Sequence, residues 1–178
     1  MVLESPRLIL REFVVDDWHS VHQYARDVDV VKFMHWGPNS EDDTKAYLDY
    51  IMTAQRQQPR RIYEFAVILK HDGLLIGGAG LHLEKYSQAS LGYCFNKQFW
   101  GQGLATETVR SLCEYGFNAL QLHRTFATCR TENRASARVM EKLGMKRDGV
   151  LREHFYAKGQ WQNSFLYSIL SREYFERY

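Results

Sequence analysis

The spacing of apolar residues changes period several times along the chain, and each change marks a new element. An apolar run from Leu8 to Phe13 predicts a first strand, and Asp16 or Asp17 is placed to cap a helix through about Ala25. A second helix begins after Ser40, with Thr44, Tyr47, Leu48 and Ile51 on one face, and Gln58-Pro59 stops it. Strands are predicted over Tyr63–Leu69 and Leu74–Leu83 around the turn His71-Asp72-Gly73, then over the run ending at Phe95. A helical period follows, with Ala105, Val109, Leu112, Cys113, Gly116, Phe117 and Leu120 on one face of a helix over Gly103–Leu120. A strand over Thr125–Cys129, a helix over Asn133–Leu143 ending at Gly144, and a hairpin Val150–Tyr156/Trp161–Leu170 turning at Lys158-Gly159 complete the chain. This order predicts an α+β fold with a mixed sheet.

The bend between the strand ending at Phe95 and the helix after Gly103 carries the chemistry. A helix start offers unpaired N–H groups and a partial positive charge, and Gly101 and Gly103 lack the Cβ atoms that would keep a ligand off that backbone. Such a turn suits a phosphate or pyrophosphate. A nucleotide P-loop needs Gly-Lys-Ser/Thr, but Gly103 is followed by Leu104-Ala105. A dinucleotide fingerprint needs a small residue at Thr106 and an acid about 20 residues on, where the chain reads Leu122-His-Arg-Thr125.

The string Gln98-Phe-Trp-Gly-Gln-Gly-Leu-Ala-Thr-Glu107 instead resembles the acetyl-CoA pyrophosphate loop of the GCN5-related N-acetyltransferases (GNAT), in the branch of the ribosomal-protein N-terminal acetyltransferases. Asn133-Arg-Ala-Ser-Ala-Arg-Val-Met-Glu-Lys-Leu-Gly-Met145 resembles that branch's next helix, and Leu3-Glu-Ser-Pro-Arg-Leu-Ile-Leu-Arg11 its first strand. The resemblance implies a mostly antiparallel sheet with one splayed parallel strand pair, flanked by about four helices. It implies a single N-acetyltransferase domain over residues 1–178, with an acetyl-CoA-binding core at about 87–145. The pantetheine arm is then expected to pair with the backbone at Cys94 and Phe95. The pyrophosphate is expected on Gln98, Gly101, Gln102, Gly103, Leu104, Ala105 and Thr106, and Asn133 and Ser136 are expected beside the pantetheine and the thioester sulfur.

The same resemblance implies direct attack of an amine on the thioester, with Ser136 reprotonating the departing thiolate because Met140 stands where many relatives have Tyr. Many relatives carry a Glu on the strand where this chain has Ser90-Leu91, and the ribosomal-protein enzymes carry one on a later strand where Phe155 stands. Glu153, two residues earlier on the same predicted strand face, is therefore the first candidate general base, followed by His154 and Glu84. At pH 7 an α-amine loses its proton for roughly 1–1.4 kcal/mol, whereas a lysine costs about 4.6 kcal/mol, which favours a peptide N-terminus or an amino-acid-like amine. Trp36, Tyr93, Tyr156 and Trp161 are candidate walls of the acceptor pocket. The alternative is an acyl-CoA-binding sensor module without catalysis.

Composition agrees with an enzyme and excludes other classes. A chain of 178 residues buries roughly 70% of its unfolded surface, enough for a core without staples. Cys94, Cys113 and Cys129 are odd in number, far apart and set in apolar pattern, so reduced buried thiols are expected. A net charge of +2 with interspersed signs argues against nucleic acid, and the cluster Arg56, Arg60 and Arg61 is expected to be a solvated loop. No run approaches the ~18 apolar residues of a membrane span, and the start lacks a signal-peptide pattern. The expectation is a cytoplasmic monomer or homodimer with acetyl-CoA as cosubstrate and no metal.

Overall fold

The computed structural model describes residues 1–178. Its sheet contains β1 (Val2–Glu4), β2 (Leu8–Glu12), β3 (Ile62–Leu69), β4 (Leu75–Glu84), β5 (Gln88–Phe95), β6 (Arg124–Arg130), β7 (Lys146–Ala157) and β8 (Gln160–Leu170), in the spatial order β1-β2-β3-β4-β5-β6-β8-β7. The helices are α1 (Trp18–Ala25), α2 (Glu41–Gln55), α3 (Leu104–Asn118), α4 (Arg134–Lys142) and α5 (Ser171–Arg177). Every neighbouring strand pair is antiparallel except β5 and β6.

That parallel pair is short. Gln88, Ala89 and Ser90 pair with Arg124, Thr125 and Phe126, and pairing then stops. Beyond it β5 stays on β4 as far as Phe95, and β6 stays on β8 as far as Arg130. Leu91–Phe95 and Ala127–Arg130 therefore each have a strand partner on one side only, and the sheet opens between them.

The two faces are covered differently. One carries α3 and α4, whose buried Leu104, Val109, Leu112, Phe117, Ala137 and Met140 join the main core with Leu8, Leu10, Phe65, Leu81 and Leu91. Gly116 lets the helix sit close there: a Cβ would stand 3.0 Å from Leu122 Cδ1 and 3.4 Å from Leu81 Cδ1, tight enough that those side chains would have to give way. The other face carries α1 and α2, where Val21, Tyr24, Leu48 and Ile51 pack on Phe13, Ala66 and Ile68 in a smaller cluster.

Local signals act as the sequence predicts at most helix ends. The Ser40 hydroxyl accepts from the Asp43 amide at 3.2 Å, and the Asp43 carboxylate accepts from the Ser40 amide at 2.9 Å, closing a capping box. Asp17 holds the N-cap position of α1 but makes no side-chain cap bond to it; its carboxylate accepts instead from both terminal nitrogens of Arg11 at 2.7 Å and from the Val14 amide at 2.9 Å. Five helices form rather than about four, because the seven-residue α5 follows β8 directly. The arginine cluster is not merely solvated: Arg60 pairs with Glu12 and lies over the Tyr63 ring, and Arg61 donates to the Leu83 carbonyl at 2.8 Å.

Leu112, fully buried where α3 meets the sheet, provides a test of this packing. Leu112→Ala is expected to lower unfolding stability by about 2–5 kcal/mol in a urea titration, and a loss below about 1 kcal/mol would contradict the placement of α3.

Candidate active site

A cleft of about 2190 Å³ runs through the opening between β5 and β6. Its walls include Cys94 and Phe95 of β5, Gly101 and Gly103 to Thr106 of the turn, Asn133 and Ser136 of the α4 start, and Trp36 and Tyr93. Those residues approach from three separate stretches of chain, which the sheet brings together.

The turn is held open by backbone geometry. Gly101 and Gly103 have φ of +76° and +80°, a region that costs other residues about 1–2 kcal/mol. The first helical bond of α3 runs from the Glu107 amide to the Gly103 carbonyl, and the amides from Gly101 to Thr106 donate to no acceptor within the protein. With no side chain at the N-cap, they form an amide-lined pocket at the positive end of a 15-residue helix. Gln98 and Gln102 belong to the turn but do not line the cleft. The Gln98 carbonyl accepts from the Gln102 side chain at 3.2 Å, so both glutamines hold the turn's shape.

Arg7 and Glu107 anchor this turn to β2. Glu107 accepts from the Ser5 hydroxyl at 2.7 Å, the Arg7 amide at 2.8 Å and Arg7 Nε at 2.7 Å, while Arg7 Nη1 donates to the Gln102 carbonyl at 3.1 Å. Burial alone would raise the Glu107 pKa, but these donors outweigh it and hold the carboxyl below its ordinary value.

On the sulfur side, Asn133 Oδ1 accepts from the Ser136 amide at 3.1 Å and starts α4. The Ser136 hydroxyl lies 2.9 Å from the Tyr93 hydroxyl, a contact that ties β5 to α4 across the opening. Burial pushes the Tyr93 phenol far up, with Ser136 opposing, so both hydroxyls keep their protons at neutral pH. The three cysteines are free; burial raises Cys94 to about 12, and Cys113 and Cys129 to about 11, so none is a thiolate nucleophile.

The carboxylate side differs from the sequence reading. Glu153 does not line the cleft: it sits in a bulge with φ of +48°, where the pairing jumps between Leu151 and Phe155, and its amide donates to Asn163 Oδ1 at 2.8 Å. The bulge breaks the two-residue alternation that had put Glu153 and Phe155 on one face. The other two candidate bases do line the cleft: His154, its Nδ1 buried without a partner and its pKa lowered by burial and by Arg130, and Glu84. Tyr156 and Trp161 stand outside, exposed and edge-to-face at 5.4 Å.

Two cleft residues had no sequence signal. Glu64 Oε1 and His82 Nε2 are 2.6 Å apart on adjacent strands, and the Tyr93–Ser136 contact likewise joins residues 43 positions apart. No group of three or more His, Cys, Asp or Glu side chains is gathered as a metal site, and no helix is long and apolar enough to cross a membrane.

The comparisons agree with this geometry. The acetyltransferase (GNAT) domain family matches residues 7–146. The uncharacterized N-acetyltransferase YnaD of Bacillus subtilis (strain 168) is 33% identical over 179 aligned residues, covering 98% of this chain and 99% of that protein. A crystal structure of a GNAT-family acetyltransferase from Bacillus anthracis superposes with a TM-score of 0.87 at 33% identity, over 97% of this chain and 100% of that one. RimL, a ribosomal α-N-protein acetyltransferase in complex with coenzyme A, shares the fold at 17% identity with a TM-score of 0.86, over 96% and 98% of the two chains.

The Glu107 anchor yields a pH-dependent prediction. A carboxyl with a depressed folded pKa contributes stability that is present above its unfolded value and lost as pH falls through the folded one. Glu107→Gln is therefore expected to cost about 1–3 kcal/mol near pH 7, with the difference from wild type narrowing toward about pH 3 in urea titrations. A difference that stays constant over that range would remove the charge from the anchor.

Proposed function

The chain belongs to the GNAT acetyltransferase family, and we propose that it is an acetyl-CoA-dependent N-acetyltransferase in which a primary amine attacks the thioester directly. The observation that carries this reading is the opening between β5 and β6, which leads from an unpaired strand edge to the unpaired amides of Gly101–Thr106. An extended pantetheine arm suits the edge at Cys94 and Phe95 as an added strand does. The Phe95 carbonyl already accepts from Trp100 Nε1 at 2.9 Å, which fixes the direction of the chain as it leaves the strand. Charge-assisted bonds of roughly 1.5–3 kcal/mol each from the turn amides would hold the pyrophosphate.

Transfer forms the new C–N bond at the acetyl carbonyl and breaks the C–S bond; the amine loses a proton and the departing thiolate gains one. Ser136 is the proton donor in this reading, and its contact with Tyr93 sets the orientation of its hydroxyl. The acceptor class we favour is an α-amine or a comparably weak amine, since its deprotonation costs roughly 3 kcal/mol less than that of a lysine at neutral pH. The RimL fold likeness fits this choice. One catalytic domain over the whole chain accounts for the site, because β2 at one end and α4 near the other both shape it.

Three outcomes test the reading. Acetyl-CoA with a panel of primary amines should give amine-dependent CoA release, and tight binding with no release for any amine would favour the sensor alternative. Gly103→Ala should weaken acetyl-CoA binding by about tenfold or more in calorimetry, because the alanine strains a +80° φ by about 1–2 kcal/mol and adds a methyl beside the amides; unchanged affinity would sink the loop assignment. Ser136→Ala should lower kcat by about 10²-fold or more while leaving acetyl-CoA affinity within threefold, and a loss below about threefold would point to solvent as the acid.

A further inference from the structure

Ser90 and Phe126 form the last pair before β5 and β6 part, so they mark the closed end of the opening. His82 of β4 is the residue directly opposite Ser90 on the other side of β5. Alternation along the strands puts His82 on the same sheet face as Gly80, and Ser90 on the same face as Gly92 and Cys94. The next row on that face is Glu64–Gly80–Gly92.

The two glycines decide what this row can do. A Cβ on Gly80 would come within 2.6 Å of the Tyr63 carbonyl oxygen and of Glu64 Cδ, so glycine leaves the room beside residue 80 that the carboxylate occupies. A Cβ on Gly92 would meet nothing within 4 Å. No side chain of that row therefore stands between the Glu64 carboxylate and the β5 edge of the opening. Glu64 is fixed by its bond to His82 Nε2, and Glu64, His82, Ser90 and Gly92 line the cleft.

We infer that His82 is the general base that takes the proton from the attacking amine, with Glu64 as its positioning residue. The inference rests on the acetyltransferase reading and names the missing acceptor of the amine proton. Nε2–H donates to Glu64 Oε1, which fixes the tautomer and leaves the Nδ1 lone pair to accept. As the amine nitrogen bonds to the acetyl carbon, its proton passes to Nδ1, directly or through one water; the electron pair of the C–S bond leaves with sulfur, which takes a proton from the Ser136 side. The charge gained by the imidazole is balanced by Glu64.

The surroundings support a base at this point. Glu64 and, less strongly, Glu84 raise the His82 pKa above its ordinary value, against burial, which lowers it. Tyr24 of α1 and Tyr47 of α2 are the other titratable groups beside the pair, and burial keeps both neutral. His154 is the rival imidazole in the cleft, but it belongs to β7, which β8 and β6 separate from the opening. Its orphaned Nδ1 lies beside Arg130 and Phe155, toward the other wall.

The test uses the full chain with acetyl-CoA and two probes, an N-terminal alanyl peptide and spermidine, with calorimetry of acetyl-CoA as the control for an intact fold. His82→Gln should lower kcat/KM about 10²-fold or more near pH 7 with acetyl-CoA affinity within threefold. Because Glu64 raises the pKa of His82, Glu64→Gln should move the acid limb of the kcat/KM profile to lower pH with the same acceptor, a shift that a purely structural role would not produce. Should His82→Gln lose acetyl-CoA binding, the Glu64→Gln profile decides alone. Wild-type rates and profiles in both variants, or a loss confined to His154→Gln, would overturn the assignment. No amine-dependent CoA release from the wild type would overturn the acetyltransferase reading and, with it, this assignment.

Discussion

The parting of β5 from β6 after a single short stretch of parallel pairing is the constraint on which the rest of the structure depends. A parallel ladder continued to Phe95 and Arg130 would satisfy the backbone and leave no site. Instead each strand keeps its antiparallel partner, β4 or β8, and gives up the other. An exposed strand edge inside a protein is a template for another extended chain. The fold stabilises that edge from its flanks: α3 and α4 fill one face with core residues, and the Tyr93–Ser136 contact spans from β5 to α4.

From this one opening the division of labour follows. The mouth is set by the chain leaving β5, where two left-handed glycines and a helix start present unpaired amides, and Arg7 with Glu107 fastens that turn to the first long strand. The closed end is set by the sheet itself, where glycines at 80 and 92 clear a strip of the face beside Glu64 and His82. Unpaired amides thus lie at one end and the Glu64–His82 pair at the other, separated by the length of β5.

The sequence made legible what local rules govern. The α3 stripe, the Ser40 cap and the Gly-rich turn each depend on residues within a few positions of one another, and each stands where periodicity and capping place it. What escaped depends on register. Strand alternation places Glu153 beside Phe155, and one bulge between Leu151 and Phe155 turns Glu153 out of the cleft while Leu151, His154 and Phe155 stay on its wall. Glu64 and His82 meet only because β3 and β4 pair with Ile62 opposite His82, and a bulge between Val67 and Ile68 makes that register unreadable from the turn. The short α5 was missed because it follows a strand with no loop to announce it.

The central claim is that the opening between β5 and β6, with the turn that follows it, is where acetyl-CoA lies. Amide hydrogen exchange with and without acetyl-CoA measures this most directly, because it reports backbone groups one by one. The account predicts slowed exchange at residues 92–95 and 101–106, with the β7 bulge around Glu153 unchanged. Protection confined to the β7–β8 hairpin, with residues 101–106 exchanging as before, would contradict it.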